Sequence, residues 1–301
     1  MTNHIPTPNE PEKSILKVLF HSFVIIPFLV AASLFFVYSL FSILTYEDAT
    51  PYDYLNDIKI GGATKRWQSA FELSKILSNS EEIGNDERFI SELINIFEKS
   101  KHDDNRVRQY LALAMGRTGN ESFIKPLLSK IESEDPEILP SIIRALGLLM
   151  AKESIPNLTQ FLQHRDEHIR LQAVIALGNI GDPLAIEGLK ISLFDQQPNI
   201  QWDAAISLAK LGNDSGRGIL LQLIEGNIFH NFPEVDVREQ DQARIIAIRT
   251  GILLNDSIIN KKIAELADKD DNISIRKTAM EVLKTKNSSV RSLIKTNIAN
   301  G

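Results

Sequence analysis

Between about Asp103 and Leu221 the chain repeats itself every 31 residues, in register and without a gap. Val107, Ile138, Ile169 and Ile200 fall on one another, as do Leu111, Ile142, Ala173 and Ala204. Met115, Leu146, Leu177 and Leu208 form a third row, each followed by a small residue: Gly116, Gly147, Gly178 and Ala209. Leu127, Leu158, Leu189 and Leu220 form a fourth, and Asp104, Asp135 and Asp166, with Gln197, a fifth. A fixed period of this length belongs to stacked repeats, in which one unit cannot bury its apolar side without its neighbours.

Each unit reads as two helices and two turns. The second helix is typified by Asp166–Gly178: Asp166 is a capping residue, and Ile169, Ala173, Ala176 and Leu177 lie at i, i+4, i+7 and i+8, one stripe of a helix. The first helix is typified by Asp182–Phe194, where Asp182 caps and Pro183 suits the first turn. Gly119, Gly181 and Gly212 close the second helices, since glycine tolerates the left-handed cap; Met150 stands in the same place in the remaining unit. Pro140 lies inside a second helix, so a kink or a late start is expected there. Ala114, Ala145, Ala176 and Ser207 let helices approach closely. The pairing of Asp104 with Arg108 and of Asp166 with Arg170 reads as a cap followed by an arginine that pairs locally.

The run Ile169-Arg170-x-x-Ala173-x-x-Ala176-Leu177-Gly178-x-x-Gly181-Asp182-Pro183-x-Ala185-Ile186 resembles a HEAT repeat, of the short type also found in phycobilisome bilin lyases. The resemblance covers roughly residues 64–300. It implies an all-α fold, a right-handed α-solenoid of antiparallel helix pairs with the second helices on the concave side. The Trp-Leu-Gly-Tyr pattern of tetratricopeptide arrays is missing.

Ahead of the repeats, Val18–Tyr46 contains 29 consecutive residues without Asp, Glu, Lys or Arg. About 20 apolar helical residues cross a bilayer core, whereas a secretory signal has a shorter apolar region and a small-residue cleavage site. The expectation is one transmembrane helix over 15–46, after a disordered cytoplasmic tail at 1–14. A linker over 47–63 and the repeat array over 64–300 follow. Pro27 is expected to kink the span, and Tyr46, Tyr52 and Tyr54 to sit at the far interface. Lys13 and Lys17 precede the span, while Glu47, Asp48 and Asp53 follow it. Basic residues collect on the cytoplasmic side, which puts the N-terminus inside the cell (inner) membrane and the repeats outside. Lys65–Leu77 reads as the helix of a degenerate capping unit: Arg66, Ala70 and Leu73 match Arg108, Ala112 and Met115 at an offset of 42.

After Leu221 the period fails. Residues 226–241 read as an insertion before a second helix at Gln242–Leu254, and inserted loops in arrays often carry contacts. A last pair follows at Ser257–Leu266 and Asn272–Leu283, then a separate polar helix and tail from 287.

Charge is 33 basic against 39 acidic residues, a net of −6, and no basic stripe tracks the repeats, so nucleic acid is not the expected partner. There is no cysteine, which excludes disulfides and thiol nucleophiles. No Gly-x-Ser-x-Gly, Walker or dinucleotide pattern occurs. His164-Arg165-Asp166-Glu167-His168 matches the His-x-x-Glu-His pattern of zinc proteases, but that chemistry needs both histidines on one helix, and here the five residues straddle a turn. His102 and His230 are single loop histidines. The reading is therefore a membrane-anchored scaffold for an unidentified protein partner, with the lipid bilayer contacted through 18–46 and no cofactor or metal. A bilin-lyase-like enzyme, implied by the resemblance, or a metal-dependent hydrolase is the alternative. Candidate contact residues are Tyr110, Gln172 and Asp203 on the ridge of the second helices, with Trp202, which replaces Leu171 and Pro140, and Phe229, His230 and Phe232 of the insertion.

Overall fold

A computed structural model describes residues 20–44, 49–77, 85–132 and 134–299. The expected tail at 1–14, the first residues of the expected span and Tyr46 lie outside the described residues. The chain divides into two compact units, Met1–Thr50 and Pro51–Gly301.

In the first unit a π-helical turn, His21–Ile25, leads into helix α1, Ile26–Leu44. Pro27 has no N–H to return to the carbonyl four residues back, and the turn ahead of it widens rather than continuing as regular α-helix. Ser22–Phe41 is long and apolar enough to cross a membrane, a length and composition that also suit a signal sequence.

The second unit is built from helical pairs: α2 (Pro51–Ile60) with α3 (Ala63–Ile76), α4 (Glu87–Lys99) with α5 (Asn105–Arg117), and α6 (Ile124–Leu128) with α7 (Leu139–Leu148). Then come α8 (Ile155–Phe161) with α9 (Glu167–Ile180), and α10 (Ile186–Ser192) with α11 (Pro198–Lys210). The last pairs are α12 (Arg217–Glu225) with α13 (Val237–Gly251), and α14 (Ser257–Lys269) with α15 (Ile273–Ala299). Among the described residues there is no strand. The second helices α3, α5, α7, α9, α11, α13 and α15 pack each against the next, as one ladder.

The repeated rows are the rungs. Val107, Ile138, Ile169 and Ile200 are buried at equivalent places, and Leu127, Leu158, Leu189 and Leu220 are wholly buried behind them. Each such leucine contributes about 1.5–3 kcal/mol by leaving water. The glycine row marks where second helices touch backbone to backbone. A methyl group built on Gly116 would lie 2.6 Å from Cα of Ala145, and one on Gly147 2.7 Å from Cα of Ala176. Thus the glycine row of one unit meets the small-residue row of the next.

The turn ending each regular second helix uses one left-handed residue. Gly119, Gly181 and Gly212 have φ of 70–71°, and Met150, in register with them, has φ 51°. The step between the first and second helices is equally regular, with aspartates accepting backbone N–H bonds at Asp104, Asp135 and Asp166. Pro140 falls in the first turn of α7, which starts late, where a missing N–H costs nothing.

Apolar residues divide between two cores. One runs from Leu55 to Leu208, the other from Ile206 to Ala279; they meet on α11, which gives Ala204, Ala205 and Leu208 to the first and Ile206 and Ala209 to the second, and at Ile219 of α12, which packs against both.

Four expectations are corrected. The connector expected at 47–63 contains α2: Pro51 suits its first turn, and Leu55 and Ile58, one turn apart, are wholly buried. Tyr52 and Tyr54 accordingly pack on the first core instead of a membrane interface; Tyr52 also donates to Asp86 at 2.7 Å and meets Phe89 edge-on. Helix α13 starts at Val237, capped by Asp236, so the end of the 226–241 insertion is already helical. The last helix is continuous from Ile273 to Ala299, with no break at 287.

Candidate partner-binding face

Opposite the buried stripe, the second helices leave an open face. Arg106, Tyr110, Leu113 and Arg117 form its edge on α5, and the 31-residue period carries the row to Asn199, Asp203 and Lys210 on α11, where Ile206, in register with Leu113, is buried instead. On α13 the corresponding side chains are Gln242, Ile246 and Arg249, with Leu253 in the 3-10 turn Ile252–Leu254 that follows, all exposed. Of its charged side chains named here, Arg106, Arg117, Lys210 and Arg249 are basic and Asp203 is acidic, and apolar residues interrupt them.

The candidate contact residues fall in separate places. Tyr110 is half-buried and packs edge-on against Phe71, ring centroids 5.1 Å apart. Gln172 is half-buried two units further on. Trp202, Phe229 and Phe232 come together: Trp202 meets Phe229 at 5.5 Å and Phe232 at 5.3 Å, both edge-on. Phe229 is 4% exposed and belongs to the second core, a correction to its expected role as a free contact residue. The short 3-10 helix Asn227–Asn231 turns it inward, because an aromatic ring of that size gains more from the core than from the loop surface. Phe232 and Trp202 stay partly exposed, and His230 is exposed.

Asp203 is half-buried, and burial pushes its carboxyl up to about 6, against the attraction of Lys210. Such a group stands out, since exposed carboxylates titrate near 4.

A second row of polar residues runs along the seam, which sequence reasoning placed wrongly. Arg108 and Arg170 do not pair with the caps Asp104 and Asp166 of their own helices. Each reaches the turn before the next second helix. Arg108 meets Glu134 at 2.7 Å, with the side chains 3% and 9% exposed; Arg170 binds both oxygens of Asp195, at 2.8 and 3.0 Å; Arg244 meets Asp270 at 2.5 Å. Arg66 and Asp103 make the same link one unit earlier. Arg170 also donates to the carbonyls of His164 and Arg165, and Arg108 to that of Phe97, so each arginine ties two turns together. The partners are 25–37 residues apart, a separation that only the stacked geometry makes short. The row is interrupted on α11, where Gln201 stands in register, and on α7, where Leu139 replaces the arginine. The turn it would have reached carries His164 and Arg165 in place of a carboxylate.

The His-x-x-Glu-His segment does not form a metal-binding helix. His164 precedes α9 and its Nδ1 accepts the N–H of Asp166 at 3.0 Å, while Asp166 caps the helix by accepting from His168 N–H. No group of three metal-ligating side chains occurs among the described residues.

These features define a class: an α-solenoid of helical hairpins with a continuous stacked seam. The family model for HEAT repeats matches residues 90–164, 125–209 and 155–227, so the array carries HEAT repeats across 90–227. It is similar to the bilin biosynthesis protein PecE of Mastigocladus laminosus, 25% identical over 112 residues; the match spans 37% of this chain and 42% of that relative. Among solved structures it resembles the complex of CpcE and CpcF of phycocyanin lyase from Nostoc sp. PCC7120. That likeness has a TM-score of 0.57 at 19% identity, over 79% of this chain and 88% of that one, and it concerns the fold. Human deoxyhypusine hydroxylase is also similar, at 14% identity over 79% of this chain and 85% of that one, with a TM-score of 0.33.

Proposed function

We propose that this protein is a membrane-anchored scaffold whose repeats hold a protein partner at the same membrane. The observation that carries this reading is the open face of the second helices from α5 to α13. It is a broad surface of mixed polarity on a rigid ladder, with the partly exposed Trp202 and Phe232 beside it. Interfaces draw most of their affinity from a few such aromatic anchors. The apolar stretch Ser22–Phe41 supports a bilayer anchor within 15–46. Tethering then raises the effective concentration of the array for a membrane partner. In this proposal the N-terminus is cytoplasmic and the repeats lie outside a single-pass inner membrane, on the basis of Lys13 and Lys17 ahead of the span.

A second reading draws on the relatives. PecE is named for bilin biosynthesis and the CpcE–CpcF complex for phycocyanin lyase, which favours a bilin-directed activity exercised with a partner chain.

Crosslinking and capture from membranes separates the two. A stoichiometric protein partner, lost on Ile246→Glu, supports the scaffold; no partner in any growth condition overturns it. A bilin mixed with the purified full chain keeps its free absorption spectrum under the scaffold reading, and a red-shifted adduct favours the enzyme. Reporters fused after Gly301 test orientation, and cytoplasmic activity overturns it.

A further inference from the structure

A cleft of about 390 Å³ opens between the turn at 162–165 and the turn at 191–196, and none of the second-helix face residues named above lines it. Its back is the ion pair of Arg170 and Asp195, which neutralise each other. Beyond that pair its lining includes Arg165, His164, Ser192 and the side-chain amides of Gln163 and Gln196. Arg165 makes no ion pair or side-chain hydrogen bond among the described residues, for the reason already given: it occupies the place of Glu134, opposite a leucine instead of an arginine. His164 has Nδ1 engaged as an acceptor, so the neutral ring carries its proton on Nε2, a second donor. Ser192 is 3% exposed in the wall, and its hydroxyl has no hydrogen-bond partner. Buried polar groups without partners are rare, and each calls for an explanation. Around these donors stand two large apolar side chains left in water, Ile191 and Phe194, the latter 86% exposed.

One free positive charge, neutral donors and an apolar rim fit an anion attached to an apolar body. The volume lies at the lower end of ligand sites, about 300–1,000 Å³, and suits one or two amino-acid residues better than an extended chromophore. We infer that the cleft captures the C-terminal carboxylate of a partner polypeptide ending in an apolar residue, with Arg165 holding the carboxylate and Ile191 and Phe194 the side chain. Capture of a chain end by converging donors is a recurring mode of peptide recognition. The inference deepens the scaffold reading by naming the part of the partner that is gripped.

The probe is N-acetyl-leucine, compared with N-acetyl-leucinamide and with acetate, added to the purified full chain and followed by ligand-observed NMR. The acid is expected to bind about ten-fold more tightly than the amide, as one charge-assisted contact requires, and more tightly than acetate. Arg165→Gln removes the preference for the acid, and Phe194→Ser weakens acid and amide alike. Equal binding of acid and amide, or no binding of either, overturns the inference. Membrane crosslinking of Arg165→Gln separates the two levels. A partner still captured by this variant, and lost on Ile246→Glu, leaves the scaffold standing and removes the cleft from it.

Discussion

Adding one methyl group at Gly147 tests the ladder at a backbone contact. The new Cβ would lie 2.7 Å from Cα and 2.8 Å from Cβ of Ala176. Comfortable carbon–carbon contact is about 3.5–4.0 Å, so α7 and α9 must part by roughly 1 Å. The obstacle is backbone and a short side chain, which cannot swing away. Overpacking of this kind costs about 2–3 kcal/mol, against a helix-propensity gain of about 1 kcal/mol for replacing glycine by alanine. The net expectation is a loss of about 1–2 kcal/mol, or about 3–6 °C in Tm for a unit of this size. Gly218 is the control. It lies in α12 with nothing within 4 Å of an added Cβ, so Gly218→Ala collects the propensity gain alone, about 0.5 kcal/mol near a helix start. Thermal and urea unfolding followed by circular dichroism compare the pair, and hydrogen exchange locates the change: amides of α7 and α9 lose protection in the first variant and not in the second. If Gly147→Ala matches or exceeds the stability of Gly218→Ala, the helices do not approach as described and the argument for the repeat seam fails.

Met150 stands in a left-handed turn that three glycines occupy elsewhere, with its side chain mostly in water, so Met150→Gly is expected to raise stability by about 0.5–1 kcal/mol in urea unfolding. Arg108→Ala leaves Glu134 buried without its counterion and the Phe97 carbonyl without its donor; a loss of about 3–5 kcal/mol is expected, and a variant within 1 kcal/mol of the parent contradicts a stapling role. Asp203 has a folded carboxyl pKa of about 6, above the unfolded value of about 3.9, so its contribution to stability is complete below pH 4 and is lost as pH rises through 6. Asp203→Asn is therefore expected to exceed the parent by about 2 kcal/mol at pH 8 and by little at pH 4 in denaturant titrations; a pH-independent difference refutes the assignment.

The repeat was legible because its signals are local: a 31-residue register, a helix stripe, a capping aspartate, a turn glycine. Even Met150 could be located, since the register demands a left-handed residue wherever it falls. The arginine links were not legible in the same way. Arg170 has Asp166 one turn away in sequence, yet its partner is Asp195, and which carboxylate wins depends on how far α9 slides along α11. Helix α2 was obscured by its composition: Leu55 and Ile58 are only two buried positions among polar neighbours, too few for a stripe to stand out. Phe229 looked like a contact residue because it lies in an insertion, and only the position of Trp202 across the seam shows that the insertion folds back. The cleft beside Arg165 is harder still, since its signal is a pair of replacements, at Leu139 and at His164–Arg165, that make sense only once the regular link has been seen.

The division of α11 between two cores has a mechanical corollary. A solenoid with one uninterrupted core frays from its ends in small steps, each repeat lending its neighbour support. Here the last core joins the rest only through α11 and through Ile219 of α12, which packs against both cores. Under tension the segment from α13 onward is therefore expected to give way before everything up to α12, which is anchored in the first core by Ile219. The array would behave less like a uniform spring than like a stiff arm with a detachable wrist.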